Sequence, residues 1–433
     1  MVEDMSTSEY VNIRLVILDR DCSRFITDKF GSLPSFQVPY SHYSDCRQIS
    51  SNAFLKLGLP VNQLRTVDGY SESRTVSCEL KPGMEIPPKF RWSSIVYLPG
   101  DCSILMDHSA RDSTPWCYPG WLQEANSWVE DVLAEKGIEK TGYMIPEKIW
   151  SISYVASVPT DRGVYWFKAS PKFFFVESVL TYWLHQNFSH TTPSVVSIEK
   201  SQNWMLMEDF EGADFNGISD RNKLSEYLEL LGELQSECSD RTGELETLGL
   251  QRNNPLLLIE FIDWLNSRPH DIYIDLDKEQ RNLLIDSLPV LRYSAEELVK
   301  TVIPPTLEHG DLDASNAFVT NRGKASRPIF MDWSDAVISH PFFTMSSFWG
   351  LGADEGFVAE SYLKPFTRFR PMKELLEEYR HSSILSALCR TAYYWEMKPR
   401  IPNSIWWELE QFYLDMLRLV HRQSALCLRR GMR

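Results

Sequence analysis

Between Leu307 and Asp335 the chain reads LEHGDLDASNAFVTNRGKASRPIFMDWSD. His309-Gly310-Asp311 is followed, five residues after the aspartate, by Asn316; sixteen residues further on, Asp332 closes the short apolar run Ile329-Phe330-Met331. One carboxylate able to accept a proton, with an amide oxygen and a second carboxylate for a hard cation, is the equipment phosphoryl transfer needs. The elements that must position these groups are two strand-like segments, Ala317 to Thr320 and Pro328 to Met331, joined by a turn around Asn321-Arg322-Gly323. Such a hairpin folds back on itself and brings Asn316 at its entry close to Asp332 at its exit.

HGDLDASN followed by FMDW resembles the catalytic loop and metal-binding segment of the aminoglycoside phosphotransferase and choline kinase superfamily, small-molecule kinases that share the protein-kinase-like fold. Any one of these residues alone would suit an ordinary Asp/Asn-rich turn; the combination and its spacing are specific. The resemblance implies ATP as phosphoryl donor, Asp311 as catalytic base, Asn316 and Asp332 as ligands of Mg2+, and His309 as a brace for the catalytic loop. It implies a bilobal α+β fold with a small β-rich lobe ahead of a helical one.

The small lobe begins near Ile145. Ile149 to Ser157 reads as a strand, Pro159 to Gly163 as a turn, and Val164-Tyr165-Trp166-Phe167-Lys168 as a second strand. Lys168 stands where the superfamily keeps the lysine for the nucleotide's α- and β-phosphates. Glu177, in the helical run Phe173 to Phe188, is the expected ion-pair partner. The loop between the strands holds a single glycine, Gly163, so Ser157 and nearby backbone amides are assigned to the phosphates. Trp204 to Gly212 resembles the hinge, where main-chain groups of Met207, Glu208, Asp209 and Phe210 would meet the adenine edge. The nucleotide is thus expected between the lobes.

Residues 1–115 read as a separate α+β domain with Val11 to Leu18 and Phe25-Ile26 in a hairpin pattern and Thr75 to Leu80 and Trp92 to Leu98 as further strands. This front portion resembles the Nudix-like unit of some bacterial relatives, and the PW…PGW helix after it resembles the same bacterial group of phosphotransferase-like proteins. The glutamate-rich Nudix signature is absent, and a scaffold, dimerisation or gating role is expected. His42 and His108 stand alone. Residues 116–144 form a helical connector in which Trp121, Leu122, Ala125, Trp128, Val129, Val132 and Leu133 recur at helical spacing and Gly137 caps the end. Residues 145–211 make the small lobe and hinge. Residues 212–433 make the helical lobe, with helices expected at Leu224–Leu234, Leu256–Leu265, Gln280–Leu288, Ala295–Val302, Met372–Tyr379, Ser382–Met397 and Ile405–Arg422. Asp335, Asp354, Glu355 and Glu396 are candidates to hold an amine or hydroxyl of the acceptor.

Composition bounds the partners. With 433 residues, 43% hydrophobic and 24% charged, the chain belongs with ordinary globular proteins of two or three domains. A net charge of −15 argues against nucleic acid and mildly favours a cationic acceptor. Its 8 cysteines form no C-x-x-C pair and fit reduced thiols. The opening MVEDMSTSEY lacks a signal-peptide pattern, and no run approaches the about 18 apolar residues of a membrane span. A soluble cytoplasmic protein is expected.

The sequence therefore reads as an ATP- and Mg2+-dependent phosphotransferase acting on a small-molecule hydroxyl, such as an aminoglycoside-like antibiotic or an amino alcohol. The alternative is a catalytically silent nucleotide-binding or scaffold protein; carrying Asp311, Asn316, Asp332 and Lys168 together argues against it. A protein kinase is disfavoured because Asp332 is followed by Trp333 rather than Phe-Gly, His309-Gly310-Asp311 replaces H-R-D, and no A-P-E follows. A hydrolytic metal site at His309 and Asp311 lacks further histidines at ligand spacing.

Overall fold

The computed structural model describes residues 10–67, 73–107, 109–215, 220–267, 277–320, 326–350 and 355–429. His108, the turn at Asn321-Arg322-Gly323, Asp354 and the side chain of Glu355 lie outside the described portion. The fold is mixed α+β and divides into two compact units. The first comprises residues 1–173, 196–209 and 401–405; the second comprises 174–195, 210–400 and 406–433.

The first unit holds two sheets. Strands β1 (Tyr10–Leu18), β2 (Arg24–Asp28), β3 (Ser35–Pro39), β4 (Val61–Thr66), β5 (Ser73–Leu80) and β6 (Phe90–Ser94) form a six-stranded sheet in the order β4-β5-β1-β2-β6, with β3 on β1. β1 and β5 run parallel from Asn12↔Ser73 to Leu18↔Glu79. Helix α1 (Arg47–Asn52) contributes Ile49 to the core that β1, β4 and β5 bury. The hairpin expected at Val11–Ile26 is present, with Leu18 opposite Phe25.

The second sheet of this unit has β7 (Ile145–Trp150), β8 (Ser153–Thr160), β9 (Gly163–Ala169), β10 (Val195–Glu199) and β11 (Trp204–Glu208), in the order β10-β11-β9-β8-β7. The single strand expected over Ile149–Ser157 is two strands, because the chain reverses at Ser151-Ile152 and the Trp150 indole N–H closes the turn on Ser153 Oγ at 2.6 Å. Helix α2 (Trp121–Glu135) lays its apolar stripe on this sheet: Trp121 meets Tyr154 at 4.9 Å and Trp204 at 5.8 Å between ring centroids. The tryptophans belong to a core cluster that includes Cys46 of the front segment. Ile149 N–H also donates to Ser44 O at 3.0 Å, and Arg47 pairs with Glu147, so the two sheets of this unit are stitched together.

The second unit is mainly helical: α3 (Glu177–Asn187), α4 (Arg221–Cys238), α5 (Thr242–Thr247), α6 (Pro255–Ser267), α7 (Lys278–Val299), α8 (Glu355–Leu363), α9 (Met372–Met397) and α10 (Asn403–Arg429). Among them run β12 (Gly212–Asp214), β13 (Thr306–Glu308), β14 (Ala317–Thr320), β15 (Arg327–Phe330) and β16 (Val337–Ser339). Asp220 caps α4 by accepting the Asn222 and Lys223 amides, and Leu224, Tyr227, Leu228, Leu231 and Leu234 bury along its face. Two helices expected at Gln280–Leu288 and Ala295–Val302 are one. Pro289 removes a hydrogen bond inside α7 without ending it, because Leu284, Leu288, Leu291 and Leu298 hold both sides in the core. The two expected at Met372–Tyr379 and Ser382–Met397 are likewise the single helix α9.

Candidate functional site

β13 delivers the HGD loop and is itself held from two sides. It pairs antiparallel with β16, Leu307 opposite Ile338, and the buried Gln235 of α4 donates to Leu307 O at 2.7 Å and to Thr344 Oγ1 at 2.9 Å. Gly310 then turns the chain with φ of +78°, and a Cβ there would lie 2.3 Å from the carbonyl oxygen of Asp335. A residue without a side chain is therefore required by conformation and by space.

His309 is fully buried. Its Nε2 faces Met331 O at 3.1 Å, its Nδ1 accepts the Asp311 amide at 3.4 Å, and its ring lies 4.3 Å from that of Trp333. These partners fit a neutral ring with the proton on Nε2. Burial drives the imidazole pKa down to about 4, with Asp332 and the Met331 carbonyl opposing. The ring ties the loop's start to the hairpin's exit.

Asp313 accepts the Ser315 amide at 2.7 Å and hydroxyl at 2.6 Å, closing the turn that leads to Asn316. The Asn316 side-chain amide donates to the main-chain oxygen of Asp311 at 2.8 Å, which leaves its Oδ1 as the atom on offer. β14 and β15 pair with Ala317 opposite Phe330, and the Met331 amide donates to Asn316 O at 3.0 Å. The hairpin's register therefore sets Asn316 beside the residue preceding Asp332. Asp332 adopts φ of +67°, a left-handed conformation that Asp tolerates better than most residues.

The Asp311 carboxylate meets a residue that no sequence motif flagged. Arg390, on α9, donates from Nη2 to Asp311 Oδ1; the Asp311 side chain keeps 32% of its surface open, Arg390 10%. Burial pushes the Asp311 carboxyl up to about 6, with Arg390 pulling the other way and Asp332 and Asp313 adding to the push. Asp335, a sequence candidate for the acceptor, is buried and occupied on both oxygens: Tyr394 OH donates to Oδ1 at 3.0 Å and Ser334 to Oδ2 at 3.0 Å. Its pKa is raised to about 7, first by burial and then by Asp311. Glu308, also unflagged, accepts the Gly310 amide at 2.8 Å and is raised to about 7 by burial. Glu396 is exposed on α9 beside a cavity of about 40 Å³ that Phe261, Phe343 and Tyr393 also line.

The remaining candidates fall on both units. Lys168 is buried on β9 in the first unit, paired in register with Met205 and Val155. Ser157 on β8 donates to Glu147 Oε1 at 2.8 Å. Met207 and Glu208 end β11, and Asp209 accepts the Trp166 indole N–H at 3.1 Å. Glu177, the first residue of α3, is buried in the second unit; Phe210, half-buried in the same unit, accepts from the Thr320 hydroxyl through its main-chain oxygen.

Among the described residues no group of three or more His, Cys, Asp or Glu side chains is arranged to hold a metal ion. An amide oxygen with one carboxylate, Asn316 and Asp332, is a donor set that suits a hard cation still carrying water and phosphate oxygens. No helix among the described residues is long and apolar enough to cross a membrane.

No protein-family model matches the chain, and no curated protein matches it. Among solved structures it is similar to an ethanolamine kinase of Plasmodium vivax, at 13% identity over 70% of this chain and 86% of that one, with a TM-score of 0.47. It is similar to a choline kinase of Cryptosporidium parvum Iowa II, at 11% identity over 70% of this chain and 97% of that one, with a TM-score of 0.47. It is also similar to a macrolide 2′-phosphotransferase of Brachybacterium faecium, at 14% identity over 63% of this chain and 92% of that one, with a TM-score of 0.42.

Proposed function

We propose that the chain is a phosphotransferase with the bilobal kinase-like fold of the aminoglycoside phosphotransferase and choline kinase superfamily, moving the γ-phosphate of ATP onto a hydroxyl of a small molecule. The observation that carries this reading is the hairpin register. It brings Asn316 to the residue next to Asp332, while the Asn316 amide holds the main chain of Asp311. A proton acceptor and two hard oxygen donors thus share one loop.

Asp311 accepts the proton of the acceptor hydroxyl as that oxygen bonds to the γ-phosphorus. The bond to the β–γ bridging oxygen breaks and its electron pair leaves on ADP. A positioned base of this kind contributes roughly 10²- to 10⁴-fold. Asn316 and Asp332 are the residues that would hold Mg2+, which when bound supplies positive charge to the phosphate oxygens. We assign Lys168 to the α- and β-phosphates with Glu177 as its partner, Ser157 to the phosphate loop, and the main chain of Met207, Glu208, Asp209 and Phe210 to the adenine edge. His309, neutral and enclosed, braces the loop. The acidity of the chain favours an amino alcohol or aminoglycoside-like acceptor.

Transfer of labelled phosphate from ATP across a panel of aminoglycosides, macrolides, amino alcohols and sugars tests the reading. Wild type is expected to label at least one class, and Asp311→Asn to lose about 10²-fold or more of that turnover. Equal turnover by wild type and Asp311→Asn would remove Asp311 from its role.

A further inference from the structure

The main chain of Asp311 is fixed on both sides, its amide on His309 Nδ1 at 3.4 Å and its carbonyl under the Asn316 amide at 2.8 Å. What remains free is rotation of its carboxylate, a broad and roughly two-fold torsion in aspartate. Arg390 removes that freedom by binding Oδ1. Among the described residues no hydrogen bond engages Oδ2.

The guanidinium is held in its turn. It packs over the Phe412 ring at 4.9 Å from the centroid, and its planar fork loses little freedom on binding a carboxylate. One turn further along α9, Tyr394 binds Asp335 Oδ1 at 3.0 Å, and the Asp335 carbonyl is the atom that crowds Gly310. The same helical face therefore fixes the loop twice, through Asp311 directly and through Asp335 against Gly310.

Resting on the phosphotransferase reading, we propose that Arg390 is the positioning residue of the proton acceptor: it pins Asp311 by Oδ1 and leaves Oδ2 to face the acceptor hydroxyl. The proton passes to Oδ2 while Oδ1 stays on the guanidinium, so Arg390 neither gains nor loses a proton. Without it the carboxylate turns among orientations, few of which meet the hydroxyl, and the loss falls on turnover rather than on binding.

The test compares wild type, Arg390→Ala and Arg390→Lys as full-length proteins on the acceptor that wild type labels, with thermal unfolding run alongside. Arg390→Ala is expected to lose about 10- to 100-fold in kcat with both KM values within about twofold. Added guanidinium should restore part of that loss. Arg390→Lys, which keeps the charge but not the fork, should fall between. Wild-type or higher kcat in Arg390→Ala, a loss confined to KM, or a loss that guanidinium leaves untouched would overturn the assignment. If Arg390→Ala does not fold, Arg390→Lys decides: kcat equal to wild type overturns the proposal, and reduced kcat at unchanged KM upholds it. An inactive wild type sinks the phosphotransferase reading and this proposal together; an active wild type with an indifferent Arg390 sinks this proposal alone.

Discussion

The side-chain amide of Asn316 donates to the main-chain oxygen of Asp311 at 2.8 Å, so one residue serves both the geometry of the loop and the oxygen set for a cation. Asn316→Asp keeps an oxygen but cannot donate, and Asn316→Ala loses both functions. Asn316→Asp is expected to lose about 1 kcal/mol of stability, with transfer still responding to Mg2+. Asn316→Ala should need far more Mg2+ for half-maximal transfer. Titrating Mg2+ against initial rate for the two variants checks this, and overlapping curves would show that Asn316 holds no cation.

Gly310 combines a left-handed backbone with a neighbour 2.3 Å from where a Cβ would sit. Gly310→Ala should cost at least about 2 kcal/mol from conformation and overpacking together. It should also displace Asp311, so activity falls even well below the melting temperature. Urea unfolding and a rate at low temperature separate the two effects.

Two buried groups give stability opposing slopes with pH. Glu308 is raised to about 7 from 4.5, so between these values the folded state keeps a proton that the unfolded chain releases, and stability falls as pH rises. His309 is lowered to about 4 from 6.5, so across that window the unfolded chain takes up a proton that the folded state refuses, and stability rises with pH. Asp311 and Asp335, raised to about 6 and about 7, add to the fall contributed by Glu308 and outweigh the opposing slope of His309. Glu308→Gln removes one downward slope: its melting temperature should fall less steeply than wild type's from about pH 4.5 to 7 and exceed wild type's above pH 7, by an amount worth up to about 3 kcal/mol. A melting curve parallel to wild type across this range would refute the assignment of Glu308.

Gln235 lies fully buried in α4 with its amide on Leu307 O and Thr344 Oγ1. Gln235→Ala leaves a buried carbonyl unpaired and a cavity behind it, an expected loss of about 2–4 kcal/mol. Hydrogen exchange should then quicken first in β13 and the HGD loop; uniform protection would argue against this link.

Trp121 is enclosed by Tyr154, Phe167 and Trp204 in the first unit. Trp121→Ala should cost about 3–5 kcal/mol, read as faster hydrogen exchange in β8, β9 and β11. Exchange unchanged in those strands would mean that α2 is not part of their core.

The hairpin of the site was legible because two strand-like segments and the flanking Asn316 and Asp332 all lie within one short stretch. The tryptophan stripe of α2 announced a buried face for the same reason: its period is local. Arg390 was not legible. It sits 79 residues from Asp311, in a helix where nothing distinguishes it from any other arginine, and only tertiary folding brings the two together. Gln235, 72 residues before Leu307, escaped in the same way. The helix breaks expected around Pro289 and before Ser382 failed because burial on either side outweighed local propensity. The reversal at Ser151 was missed because Trp150 and Ser153 close it through side chains, without glycine or proline.

Helix α9 is anchored near its start, where Glu378 accepts from His340 at 3.0 Å and from Arg370 at 2.9 Å. Twelve residues on, the same rod presents Arg390 to Asp311. Phase along the rod is therefore a quantity the protein must conserve. Removing one residue between Glu378 and Arg390 would swing the guanidinium by about 100° about the helix axis, with the anchor and the HGD loop both intact in composition. The distance from Glu378 to Arg390 thus acts as a gauge, and length changes in this segment should be tolerated in whole turns before they are tolerated in single residues.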